Sequence, residues 1–299
     1  MPTVRSDPPS RPALRRRPLA FAIIAAVAVA FVLLPWQPAQ RSEVVTAVPG
    51  TWEMVETYAP VLSFSSGERT FPAPVGYFLE RASLVDLAGA IVAERPEGLE
   101  ETGSGLYLDF GPADVIDTYE RDRPGIANTV YGRVMEVNDH IVLQYWLFYV
   151  FNEGRLNVHE GDWEMIQVTL SPDGARAESI ALSQHHSGDF IRWDELTAVR
   201  DETHPVIMIS LGSHANYVPG EDRLDLGDHA DEGGEEWSPD NYSLMPIGLG
   251  TGENEPSWLR YQGAWGAPAG SLGGLLGKEG PEGPMYREGG RMWSGTGWW

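Results

Sequence analysis

No cysteine occurs among the 299 residues, which excludes disulfides, thiolate zinc sites, a cysteine nucleophile and iron–sulfur clusters. Any metal must rest on histidine nitrogens and carboxylate oxygens. Basic residues are also scarce, with 21 Lys+Arg against 43 Asp+Glu and a formal net charge of -22. A surface of that sign repels phosphate and gives no counterion-release gain, so no nucleic-acid partner is expected. Helical periodicity is weak, and beyond residue 50 no apolar run is long enough to span a bilayer. What is abundant is apolar and aromatic: 42% hydrophobic and 10% aromatic residues exceed what a disordered acidic chain carries.

The charge is divided. Residues 1–17 hold five arginines against Asp7, a balance of +4, which leaves -26 on the remainder. Next comes Leu19–Leu34, sixteen apolar residues without a polar one. As a helix from Pro18 to Trp36 it would extend about 28 Å, near the ~30 Å hydrocarbon core of a membrane. Arg15, Arg16 and Arg17 immediately before it orient the N-terminus to the cytoplasm. The expected plan is a basic cytoplasmic tail over 1–17, a transmembrane anchor or signal peptide over 18–36 and a linker over 37–50. An extracytoplasmic domain over 51–299 follows, with an acidic surface insertion over 219–256. If the apolar segment is cleaved, the domain is secreted.

Strand signals dominate that domain. His140–Phe151 and Trp163–Leu170 are dense in aromatic and β-branched residues, and Ser179–Ser183 and Pro205–Leu211 add two more runs separated by Gly/Pro/Asp turns. Leu79–Ala93 is the best helix candidate, with Leu84, Leu87, Ala88 and Ile91 on one face. The fold class expected is mainly β, an antiparallel β-sandwich with long loops and one or two short helices.

The densest chemistry lies in Asn157–Leu170, NVHEGDWEMIQVTL. In a strand Asp162, Glu164, Ile166 and Val168 share a face, so two carboxylates lead into a core row. Buried carboxylates need a cation. His159 three residues upstream makes a His159/Asp162/Glu164 metal set possible, with Mg or Ca favoured over Mn or Zn. The competing arrangement is a salt bridge to a core arginine such as Arg133 or Arg192. His185, His186 and His214 sit at the ends of predicted strands that would meet at the same rim, and one of the adjacent pair His185/His186 should face it. His140, His204 and His229 have no such setting. Ser213 beside His214 and Ser187 beside His186 would point to opposite faces, and no G-x-S-x-G elbow is present, which disfavours serine hydrolysis.

Several blocks resemble the vacuolar protein sorting-associated protein 62 family: Tyr58–Ala82, the Gly161-Asp162-Trp163-Glu164 motif, Ser183–Gly188, Pro205–Tyr217, Trp258–Gly266 and Gly280–Pro284, in family order. A more distant resemblance is to the necrosis- and ethylene-inducing-peptide-like proteins, secreted β-sandwich cytolysins with a G-H-R-H-D-W-E motif. That resemblance implies a divalent cation at His159, Asp162 and Glu164, with Gly161 replacing the motif's second histidine and Glu153 the nearest counterpart of an upstream aspartate. The expected function is a membrane-anchored extracytoplasmic protein binding a divalent cation and, through it, a surface glycan or lipid headgroup. Glu153, His185, His186 and His214 would line the cleft. The alternatives are a metal-dependent hydrolase using the same site and a structural protein without metal.

Overall fold

The computed structural model describes residues 51–96, 99, 103–111, 115–154, 158–220, 227–248, 255–267 and 280–297. The basic tail, the apolar run Leu19–Leu34 and the linker lie outside the described residues. Among those described, no helix is long and apolar enough to cross a membrane.

Fourteen strands are described: β1 (Val61–Phe64), β2 (Ser83–Asp86), β3 (Ile91–Glu94), β4 (Leu106–Asp109), β5 (Thr129–Val137), β6 (His140–Asn152), β7 (His159–Leu170), β8 (Ala177–Gln184), β9 (Ser187–Arg192), β10 (Val199–Arg200), β11 (His204–Ile209), β12 (Asn216–Tyr217), β13 (Glu236–Trp237) and β14 (Ser243–Pro246). They form a six-stranded sheet ordered β14-β5-β6-β7-β8-β9, a second sheet ordered β10-β11-β1-β13 with β12 on β11, and a small sheet β3-β2-β4. The mainly β class expected from sequence holds, and all four strand runs singled out there are strands. Two details differ. β1 pairs parallel to β11 and β14 parallel to β5, so the pairing is not antiparallel throughout. Among the described residues four short α-helices occur rather than one or two: Thr51–Thr57, Val75–Leu79, Val115–Asp122 and Arg291–Ser294.

The helix expected over Leu79–Ala93 is instead the β2–β3 hairpin. Its apolar spacing fits a helix, but the turn chemistry overrides it: Asp86 Oδ1 accepts the N–H of both Ala88 and Ala90, and Gly89 takes a left-handed φ of 84°. Local side-chain capture of backbone donors is the standard competitor of helix formation for aspartate.

The six-stranded sheet is buried on both faces, so β6 and β7 show continuous rather than alternating burial. One face pairs Tyr149 with Asp162, Leu147 with Glu164, Tyr145 with Ile166 and Leu143 with Val168. It packs toward the second sheet, where Leu62, Phe64, Ile207 and Ile209 join the same core. The other face carries Phe148, Trp146 and Gln144 beside Trp163, Met165 and Gln167, and is covered by Trp258, Trp265 and the C-terminal Met292 and Trp293. In its described part the segment 219–256 contributes β13 to the second sheet and β14 to the first, and Trp237 is buried against Phe64 and Phe71.

Candidate functional site

β7 delivers Asp162 and Glu164 onto the inner face, side by side and fully buried. Gly161 precedes them with a left-handed φ of 56°. A Cβ there would meet the Trp265 carbonyl oxygen, so the position takes glycine both for its dihedral and for this close approach. His159 is also buried, and its Nδ1 donates to the Gly161 carbonyl at 2.8 Å. Burial lowers the His159 pKa despite the Asp162 charge.

Asp162 is saturated with donors. Oδ2 accepts from Asn152 Nδ2 at 2.9 Å and His214 Nδ1 at 3.0 Å, and Oδ1 from the Trp163 N–H at 2.9 Å. Burial by itself would raise its pKa; the His214 hydrogen bond and the neighbouring cationic charges overcome this and hold it well below the usual carboxylate range. His214 reaches the site from the loop after β11, in a left-handed conformation with φ 60°. Its other nitrogen, Nε2, lies 2.9 Å from Thr70 Oγ1 and 3.7 Å from Glu68 Oε1. Burial opposes the charged ring, yet two flanking carboxylates raise His214 to about 9. Glu68, which burial would raise, is brought down to about 2 by His214 and by the N–H groups of Gly212 and Thr70. Glu68, His214 and Asp162 thus form a buried carboxylate–imidazolium–carboxylate chain.

Glu164 is the less settled carboxylate. Oε2 accepts from the Ser183 hydroxyl, while Oε1 is buried without a hydrogen-bond partner, 3.6 Å from Arg287 Nη2 and 3.8 Å from His185 Nδ1. Burial and the Asp162 charge raise it to about 7. His185 Nδ1 and Arg287 Nε are themselves buried and unpartnered. His185, again left-handed at φ 61°, directs Nε2 to Asp228 Oδ1 at 3.3 Å. Asp228 also accepts from Ser213 and Tyr217. Four carboxylates (Glu68, Asp162, Glu164, Asp228) therefore face two imidazoles and one guanidinium (His185, His214, Arg287), and Glu164 is the surplus one.

The structure brings Asp162, Glu164, His185 and His214 together, with His159 beside Asp162. Of the adjacent pair, His185 faces the site; His186 is exposed and bonded to Glu288. Glu153 is half-buried at the edge, 3.8 Å from Arg69 Nη1, and burial raises its pKa. The arginine near the carboxylates is Arg287. Arg133 instead lies over Trp293, and Arg192 pairs with Asp194 at the surface. Among the described residues, no group of three or more His, Asp or Glu side chains stands in an arrangement that could hold a metal ion. Sequence reasoning missed Glu68, Asp228 and Arg287. Glu68 lies in the charged turn of the Tyr58–Ala82 block, and Arg287 follows the Gly280–Pro284 block in a Gly/Pro-rich stretch without periodicity.

With this geometry established, comparison with known proteins adds the following. The family described as vacuolar protein sorting-associated protein 62 matches residues 144–269, the span that contains β7 and the His185 and His214 loops. No curated protein matches the chain. Among solved structures, the chain is similar to necrosis and ethylene inducing protein 2 from the causal agent of cocoa's witches' broom disease: identity 19%, TM-score 0.35, 67% of this chain and 74% of the other covered. It is also similar to a protein described as a toxin fold for microbial attack and plant defense (16%, TM-score 0.41, 75% and 82%). A third is NLPPya in complex with mannosamine (17%, TM-score 0.37, 70% and 75%). The resemblance to the vacuolar protein sorting-associated protein 62 family drawn from the sequence motifs is met over residues 144–269.

Proposed function

We propose that this chain, matched over residues 144–269 by the vacuolar protein sorting-associated protein 62 family, is a membrane-anchored extracytoplasmic recognition protein. In this reading His159, Asp162 and Glu164 take a divalent cation, Mg or Ca before Mn or Zn, and through it a glycan or lipid headgroup. The observation that carries the reading is the surplus carboxylate: Glu164 Oε1 is buried, lacks a hydrogen bond and adjoins the ionised Asp162. Two carboxylates dominate the set, which favours a hard cation, and Asp162 would give up one of its three hydrogen bonds to bind it. His159 fits as well: with Nδ1 donating to the Gly161 carbonyl, Nε2 is the lone-pair nitrogen, the usual orientation of a ligating histidine. A bound divalent ion would supply open coordination positions for hydroxyl or phosphate oxygens. The anchor rests on the apolar run Leu19–Leu34 and the arginines before it.

A second reading has its own support. His214 on Asp162 and Arg287 near Glu164 already supply cations, so the same residues can act as an ion-paired scaffold without metal. Calorimetric titration with Mg, Ca, Mn and Zn after dialysis against chelator separates the two. On the recognition reading one ion binds and raises the melting temperature, and an Asp162→Ala/Glu164→Ala variant that still melts cooperatively binds none. A wild-type protein that takes up no ion and melts alike with and without each of them leaves the scaffold reading.

A further inference from the structure

The small sheet ends in a hairpin tip without a single charged or polar side chain from Leu87 to Ala93, LAGAIVA, in a chain otherwise rich in acid. Leu87, Ile91 and Val92 are 69%, 61% and 56% exposed, three of the five exposed large hydrophobic residues among those described. We propose that this tip docks into the interfacial region of a lipid bilayer.

Three features single out a bilayer as the occupant. First, Ile91 and Val92 are consecutive in β3 and project from opposite faces of the strand. A flat protein surface, including a second copy of this chain, would cover one of them and leave the other in water. A lipid phase surrounding the tip takes both, together with Leu87 in the turn. Second, the N–H groups of Ala88, Gly89 and Ala90 in the turn are already satisfied. Asp86 Oδ1 accepts the Ala88 and Ala90 N–H groups, and the Gly89 N–H donates to the Asp86 carbonyl. Entry into a medium poor in water then strands fewer polar groups. Third, an exposed guanidinium stands at the base of the hairpin. Arg81 and Arg95 line a cavity of about 650 Å³ with Gly76, Leu79, Glu80 and Pro96. Arg81 is paired with Glu80 and Asp122, whereas Arg95 is exposed and has no ion pair among the described residues. Arg95 lies four residues beyond Ile91, about 13 Å at ~3.3 Å per strand residue. A tip buried ~5–10 Å therefore brings that guanidinium to the phosphate level of the headgroups. The net charge of -22 disfavours a strongly anionic surface, so the fit is to a zwitterionic phospholipid.

The docking is independent of any ion at His159, Asp162 and Glu164, and its test is run in chelator so that the two can fail separately. The absence of native cysteine makes Ile91→Cys in the full chain a unique attachment point for an environment-sensitive fluorophore, with Asp201→Cys as the reference position. In phosphatidylcholine vesicles the label at 91 is expected to shift to the blue and to be quenched by acyl-chain bromines, while the label at 201 does neither. Adding Leu87→Ser and Val92→Ser to the Ile91→Cys protein should lower the inserted fraction about tenfold or more. Arg95→Gln should weaken it further. Water-like emission at position 91 in vesicles overturns the proposal. So does a shift that appears without vesicles and grows with protein concentration, which would identify a second copy as the occupant. Insertion unchanged by Arg95→Gln overturns the headgroup contact.

Discussion

The His214 imidazole lies flat on the Tyr149 phenol ring, with centroids 3.7 Å apart and planes 3° from parallel. The ring below and the carboxylates at both ends define one slot for a buried cation. A charged ring over an aromatic face gains quadrupole attraction in addition to its ion pairs. The Tyr149 hydroxyl, by contrast, is buried without a hydrogen-bond partner, and burial raises its pKa well above the usual value. Tyr149→Phe keeps the stacking face and removes an unpaired polar group, so it should be neutral or stabilising by up to about 1 kcal/mol in urea unfolding. A loss above that size would mean that the hydroxyl has a partner in solution.

His214→Gln should be among the most damaging single changes. It removes the cation between Glu68 and Asp162 and leaves two buried carboxylates facing each other across a neutral amide. Breaking a buried pair in this way costs roughly 3–5 kcal/mol. Denaturant midpoints of the variant and the wild type, compared at equal slope, give the number directly; a loss below about 1 kcal/mol would show the chain of charges to be incidental.

The same chain sets a pH window. Glu68 is held at about 2 against an ordinary 4.5, so its stabilisation is complete above 4.5 and lost as pH falls toward 2. His214 is raised to about 9 from 6.5, so its stabilisation is complete below 6.5 and lost as pH rises through 9. Both contribute fully only between about 4.5 and 6.5. Unfolding of His214→Gln should lose the part of the wild-type alkaline limb that falls near pH 9, keeping the loss that Glu160 contributes up to about 8. An identical alkaline limb in the two proteins would assign it to another group.

Glu160 has the opposite sign. Burial, reinforced by the Asp109 charge and only partly offset by the Phe110 N–H, raises it to about 8, and its Oε1 has no hydrogen bond. The folded protein therefore binds a proton that the unfolded chain releases near 4.5, and stability falls as pH rises from 4.5 through 8. Glu160→Gln keeps an acceptor for Phe110 and removes the titration. Relative to wild type it should gain stability steadily across that interval. A pH-independent difference between the two would refute a buried neutral carboxyl.

How far the sequence reached follows from range. The row Asp162, Glu164, Ile166, Val168 was legible because strand alternation is local, and the structure gives those four residues one face. The partners were not, because Glu68 and Arg287 come from segments 96 residues before and 123 residues after Glu164 with no periodic signal to place them. The choice between His185 and His186 depended on a left-handed φ at His185, a conformation uncommon enough outside glycine that strand alternation alone does not predict it. The hairpin at Leu79–Ala93 shows the converse: its 3.6-residue apolar spacing was present, but a single aspartate in the turn outweighed it.

Gly161 joins sequence, backbone and site most directly. It replaces a histidine in the motif it resembles, and here no larger residue fits. Its φ of 56° disfavours any side chain with a Cβ, and that Cβ would meet the Trp265 carbonyl oxygen, while Trp265 is fully buried and cannot yield without disturbing Phe148 and Trp163. Left-handed strain contributes ~1–2 kcal/mol and overpacking ~1–3 kcal/mol, so Gly161→Ala should destabilise by about 2–5 kcal/mol. Gly67→Ala, left-handed at 85° with open space around it, isolates the dihedral part and should cost about 1–2 kcal/mol. If the two variants unfold at the same denaturant concentration, the Trp265 contact is relieved at no cost and β7 is not fixed by it. If Gly161→Ala alone is strongly destabilised, the loop carrying Trp265 is what holds His159 and Asp162 on either side of the glycine in their observed positions.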